Sequence, residues 1–197
     1  MATAAGSRPA AGAIPIGDEP QLKVANQPLL MVGIMAASLI QILDTTIANV
    51  AIPHMQNSLG ATADTITWVL TSYIVATAIA TPLTGWLSAR FGSVRVFVSS
   101  MVLFGVFSIV CGLAPSLGIL VVARVFQGLC GGPLMPLSQT LLMRIFPKEK
   151  AAAAIGLWSM TTLVAPVAGP ILGGWLCDEF SWSWVFLLNA PIAIGFG

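Results

Sequence analysis

Charge is what this sequence has least of. Lysine, arginine, aspartate and glutamate make up 8% of its 197 residues, against about 25% in ordinary soluble domains. Hydrophobic residues make up 57% and the mean hydropathy is +0.93. That balance excludes a soluble globule and indicates an integral membrane protein. No basic run is present to hold nucleic acid, so that partner class is excluded. Histidine occurs once, as His54. Hydrolysis inside a membrane needs a Ser/His, paired-Asp or His–metal set. One histidine outside the apolar segments and one acid within them supply none, so the chain is read as a non-enzyme. Cys111, Cys130 and Cys177 are the three cysteines. They form no C-x-x-C pair or metal-like spacing, and neither a disulfide framework nor a bound metal or cofactor is called for.

What the chain does have is apolar length. Residues 1–27, rich in Ala, Gly and Pro, read as a disordered tail. They are no secretory signal, because the apolar run that follows is too long and leads into further spans. Six apolar segments come next, at 28–53, 65–87, 94–114, 117–142, 151–176 and 182–197. The first five are long enough to cross a hydrocarbon core of about 30 Å as helices. The sixth reaches only about 24 Å at 1.5 Å per residue, and reads as a truncated helix. An all-α transmembrane bundle over 28–197 follows.

Basic residues give the bundle a direction. Arg8 and Lys23 precede the first segment, Arg90 and Arg95 separate the second from the third, and Arg144, Lys148 and Lys150 separate the fourth from the fifth. The alternate loops carry only His54, Asp64, Asp178 and Glu179. By the positive-inside rule the N-terminus, and with it the tail, is cytoplasmic. Trp68, Trp86, Trp175, Trp182 and Trp184 lie near segment ends, where an aromatic belt is expected. His54, next to Pro53, is expected just outside the first helix, at the surface.

Two charges break the apolar pattern. Asp44 stands near the middle of the first segment, in SLIQILDTTIANVAIPHM. An acid at mid-bilayer costs roughly 2.5–3.5 kcal/mol on insertion scales, so such residues face a cavity or a partner and mark function. Gln41, Asp44, Thr45 and Ala48 share one helical face. The competing reading is a hydrogen bond that only joins helices. Arg124 lies inside the fourth segment, in ARVFQGLCGGPLMPLSQ. A guanidinium keeps its proton, so at this depth it needs an anion or water, and Asp44 is the carboxylate within the spans that can answer it. Gln127, Gly128 and Gly131 extend the same face, Gly128-x-x-x-Gly132 lets a neighbouring helix approach closely, and Pro133 and Pro136 should bend the helix. If the chain is two three-helix repeats, the two charged helices hold corresponding places around a cavity. In the fifth segment, APVAGPILGG (Ala165–Gly174) sets Gly169 and Gly173 four apart, a flat face for packing or for a hinge between halves.

Four motifs in order then carry a resemblance. They are LDTTIANVAIP (Leu43–Pro53), GWLSARFGSVR (Gly85–Arg95), RVFQG (Arg124–Gly128) and APVAGPILGG, with WSWVFLLNAP (Trp182–Pro191) after them. From about Leu29 onward the chain resembles the major facilitator superfamily, in particular its fourteen-helix EmrB/QacA-type drug:proton antiporters. The resemblance implies the N-terminal six-helix bundle of that fold, built as two three-helix inverted repeats, and a multi-pass place in the bacterial inner membrane. It implies export of hydrophobic drug-like compounds against inward proton flow. Asp44 and Arg124 would then couple to the proton, and Gln41, Thr45 and Gln127 would line the cavity. Gly85, Arg90 and Gly92, with Pro166, Gly169, Pro170, Gly173 and Gly174, would form the conformational motifs. It implies no cofactor beyond the proton gradient, lipid around the spans, and a periplasmic adaptor and outer-membrane channel as partners.

Two departures stand against full transfer. The loop motif's usual acid before the arginine is Ala89 here, which removes any charge latch built on it. Six helices also make only half of such a transporter, so the chain reads as an N-terminal half or fragment. A facilitator of another small-molecule class and a non-transporting truncated remnant are the competing readings.

Overall fold

The computed structural model describes residues 27–146 and 148–196, and the tail expected over 1–27 lies, save for its last residue, outside them. Among the described residues the chain forms nine helices and no strand: α1 Gln27–Leu59, α2 Ala63–Ile66, α3 Trp68–Phe91, α4 Ser93–Gly112, α5 Leu117–Gly131, α6 Leu134–Ile145, α7 Lys148–Glu179, α8 Ser183–Leu187 and α9 Asn189–Phe196. Five stretches are long and apolar enough to cross a membrane: 28–59, 63–91, 93–112, 117–145 and 150–179. A shorter apolar stretch, 183–195, stands where the sixth was expected. The third and fifth spans are therefore α4 and α7, while the second, fourth and sixth are each divided into two helices.

Several of these boundaries have a local cause. At the start of the second span Thr62 and Thr65 bond reciprocally, closing a capping box on the single turn α2. At its end Gly92 adopts φ +89°, a conformation costly for any other residue, and turns the chain at once into α4. The fourth span is interrupted at Gly132–Pro133, since proline offers no N–H to the preceding turn. Pro136, also expected to bend it, lies inside α6.

The first helix is longer than its pattern predicts. It runs through Pro53 to Leu59, so His54 is helical instead of lying beyond the end. Met55 explains the extension: it is fully buried and packs in one cluster with Ile66 and Val69, which holds the last turns against the second span. His54 remains at the surface, with Nε2 3.9 Å from Asp178 Oδ1. Trp68, Trp86, Trp175 and Trp184 are exposed, whereas Trp182, expected with them, turns inward and meets Phe186 edge-on.

Packing follows an exchange rule. Span one packs on spans five and six, span four packs on spans two and three, and the pairs one–four and three–six map onto themselves. Exchanging the first three spans with the last three thus preserves the neighbours, as two three-helix repeats require. Small residues make the close pairs possible. A methyl group added at Gly128 would stand 2.6 Å from the Tyr73 carbonyl, and one at Gly132 2.6 Å from Ala80 Cβ. One at Gly173 would stand 2.7 Å from Ile47 Cγ2. Two apolar clusters fill the bundle. Along the fourth span the cluster holding Leu120 and Ala123 stops and the one holding Leu134 begins, and Arg124 and Gln127 lie in that interval. On α1 Asp44 stands one residue past Leu43, at the near edge of the second cluster.

Candidate functional site

Asp44 and Arg124 are both fully buried and form a direct ion pair, Arg124 Nη1 donating to Asp44 Oδ2. Neither charge is stable alone at this depth, and further hydrogen bonds at Asp44 Oδ1 and at Arg124 Nη1 and Nε sustain the pair. Gln127 Nε2 donates to Asp44 Oδ1 at 3.1 Å, and Asn189 Nδ2 donates to the same oxygen at 3.0 Å. Arg124 Nη1 also donates to Gln127 Oε1 at 3.0 Å, and Nε to the Val69 carbonyl at 3.3 Å. The guanidinium carbon lies 4.5 Å from the Tyr73 ring centre and 5.1 Å from that of Phe186, within cation–π range. Residues from spans one, two, four and six therefore close around one ion pair.

The helices explain the convergence. Arg124 and Gln127, three apart on α5, share a face. The Gly128 and Gly132 contacts draw α5 against α3, which brings the Val69 carbonyl and the Tyr73 ring to the guanidinium. Asn189 opens α9 beside Asp44.

The cluster is sealed. Gln127, expected to line a cavity, is fully buried and uses both ends of its amide within the ion-pair network. Gln41 and Thr45, expected with it, do line a cavity of about 360 Å³, together with Ile42, Tyr73, Thr77 and Met135. Thr45 Oγ1 bonds back to the Ile42 carbonyl at 2.8 Å. Among the described residues four buried side-chain polar atoms have no hydrogen-bond partner: Gln41 Oε1, Tyr73 OH, Arg124 Nη2 and Asn189 Oδ1. Tyr73 and Asn189 are among the site residues that sequence reading missed. Tyr73 is the chain's single tyrosine and lies inside a span instead of at an interface, which was the available signal.

The glycine-proline motif splits by face. Gly169 and Gly173 press on Thr46 and Ile47 of α1, where a methyl group at Gly169 would overlap Thr46 Oγ1. Pro166 and Pro170 are exposed, and Gly174 has open space beside it. In the loop motif Gly85 and Arg90 are exposed, with Arg90 over the Phe91 ring at 5.9 Å, and Gly92 makes the turn. Among the described residues no group of His, Cys, Asp and Glu could hold a metal ion.

The sequence profile of the Major Facilitator Superfamily matches residues 34–197. This chain belongs to that superfamily. Its members are membrane transporters, and the apolar helices agree with a multi-pass membrane protein of this kind. The chain is 51% identical over 166 residues to the multidrug export protein EmrB of Haemophilus influenzae, covering 84% of this chain and 32% of that protein. It is 48% identical over 177 residues to the fatty acid resistance protein FarB of Neisseria gonorrhoeae, covering 90% and 35%. A crystal structure of a peptide transporter, POT, superposes with a TM-score of 0.74 at 15% identity, covering 90% of this chain and 38% of that one. The chain spans about a third of the length of the curated relatives it matches. The superfamily bundle expected from the motifs is the fold observed.

Proposed function

We propose that this chain belongs to a proton-coupled multidrug efflux antiporter of the bacterial inner membrane, with its N-terminus in the cytoplasm, that exports hydrophobic compounds. The buried Asp44–Arg124 pair, in a chain this similar to a multidrug export protein, carries the proposal. Burial disfavours a carboxylate's charge and an adjacent guanidinium favours it. Separating the pair as the protein changes state is thus a way to take up a proton on one side and release it on the other. Arg124 holds the acid's charge in one state, and Gln127 and Asn189 follow the carboxylate. Exchange requires that the two states bind proton and drug differently. The energy comes from the proton gradient, with no cofactor.

Gly169 and Gly173 serve as the smooth face on which the fifth span slides against the first, with Pro166, Pro170 and Gly174 shaping it. Gly85, Arg90 and Gly92 form the turn that moves with the halves. A periplasmic adaptor and an outer-membrane channel complete the export path. Inside-out vesicles carrying the native protein test the reading by dye uptake into an acidified lumen, which corresponds to efflux from the cell. Efflux that depends on the gradient and is lost in Asp44→Asn supports it. Efflux indifferent to the gradient, or alkalinisation driven by a sugar, overturns it.

A further inference from the structure

The cavity of about 360 Å³ is lined by two residues with polar atoms, Gln41 Oε1 and Tyr73 OH, that complete no hydrogen bond among the described residues. Their residues are 8% and 2% exposed, so bulk water does not satisfy them, and an unsatisfied buried polar atom costs about 1–3 kcal/mol. The rest of the wall is Ile42, Ile74, Ala78 and Met135, with Thr45 and Thr77, whose hydroxyls donate to the Ile42 and Gly128 carbonyls. The acid that would attract a cation is withheld. Asp44 is fully buried, and both its oxygens are engaged by Arg124, Gln127 and Asn189.

We propose that Gln41 and Tyr73 form the hydrogen-bonding subsite of this cavity, and that it takes uncharged apolar molecules bearing a hydroxyl group. A hydroxyl both donates and accepts, so one group satisfies the amide oxygen and the tyrosine hydroxyl together. It does so whichever way the Gln41 amide is turned. A permanent cation finds no free negative charge among the described residues that line the cavity, and a pure hydrocarbon leaves both atoms unpaired. Tyr73 also joins this subsite to the ion pair, since its ring covers the Arg124 guanidinium at 4.5 Å. A ligand that moves the tyrosine uncovers the charge behind it. The assignment deepens the antiporter reading and rests on it for the ligand's role as transported substrate.

The test uses the native protein in lipid nanodiscs without a gradient, with three probes: 2-naphthylmethanol, its methyl ether and the matching naphthylmethyl trimethylammonium ion. Affinities are corrected for partition into empty nanodiscs. The alcohol should bind roughly tenfold tighter than the ether, the worth of one buried hydrogen bond with its desolvated partner, and the cation should not outcompete the alcohol. Tyr73→Phe and Gln41→Met should each pull the alcohol-to-ether ratio toward one. An ether that binds as well as the alcohol, a cation that binds tightest, or a ratio that stays tenfold in both variants overturns the subsite. The ratio in the unmodified protein decides even if a variant fails to fold. Proton-driven efflux from proteoliposomes is scored separately. Its absence with the ratio intact would defeat the antiporter reading and leave the subsite standing; its presence with a ratio of one would do the reverse.

Discussion

At the residue scale the ion pair sets the terms for every substitution near it. Removing one partner from a buried pair costs about 3–5 kcal/mol, because the survivor is left charged and desolvated. Arg124→Met should therefore destabilise the protein strongly, while Arg124→Met combined with Asp44→Leu should recover much of that loss. Thermal unfolding in detergent checks both, and a double variant no more stable than the single would contradict this account. Arg124→Lys keeps the charge but not the planar fork. A lysine cannot reproduce the simultaneous bonds from Nη1 to Asp44 and Gln127 and from Nε to the Val69 carbonyl. The pairing was legible in the sequence, since one carboxylate and one guanidinium in apolar segments need each other. Asn189 was not, because an asparagine inside a short apolar segment carries no sign of which helix it will face.

At the scale of elements the close helix pairs rest on glycines, and each glycine's neighbour decides what a methyl group would do. Gly169→Ala should lower the melting temperature, since its Cβ would overlap the Thr46 hydroxyl and lie 2.7 Å from Thr46 Cβ. Overpacking of this kind typically costs about 1–3 kcal/mol. Gly156→Ala, on the same helix with open space beside it, should be neutral or slightly stabilising, since alanine is the better helix former. Equal losses from the two would mean that the close approach to Thr46 is not what holds the fifth span. Spacing alone predicted that Gly169 and Gly173 face a neighbour. That α1 is the neighbour comes from the packed structure.

At the scale of the molecule the direction proposed for the bundle rests on its charges. A cysteine placed at Ser93, beside Arg90 and Arg95, should react with an impermeant thiol reagent only in inside-out vesicles, in a background lacking the native cysteines. One placed at Thr62, beside Asp64, should react only in right-side-out vesicles. The reverse pattern would invert the topology and with it the direction assigned to export. Exposed apolar side chains on α3 and α7, among them Ile74, Ile79, Val167 and Ile171, suit a hydrocarbon or protein surround and would be costly in water.

The sequence by itself determined the membrane class, the count of apolar segments, the basic loops and the two charges that must meet, because each follows from the cost of placing a group in hydrocarbon. The tertiary structure alone decided where the polar atoms went. Whether a side chain at the edge of a polar face joins the sealed pair, as Gln127 does, or lines the cavity, as Gln41 does, depends on which helix packs against that face. The helix's own periodicity does not contain its neighbour. For the same reason His54 falls inside α1: Pro53 marks a weak point in the helix, and the burial of Met55 against the second span holds it together.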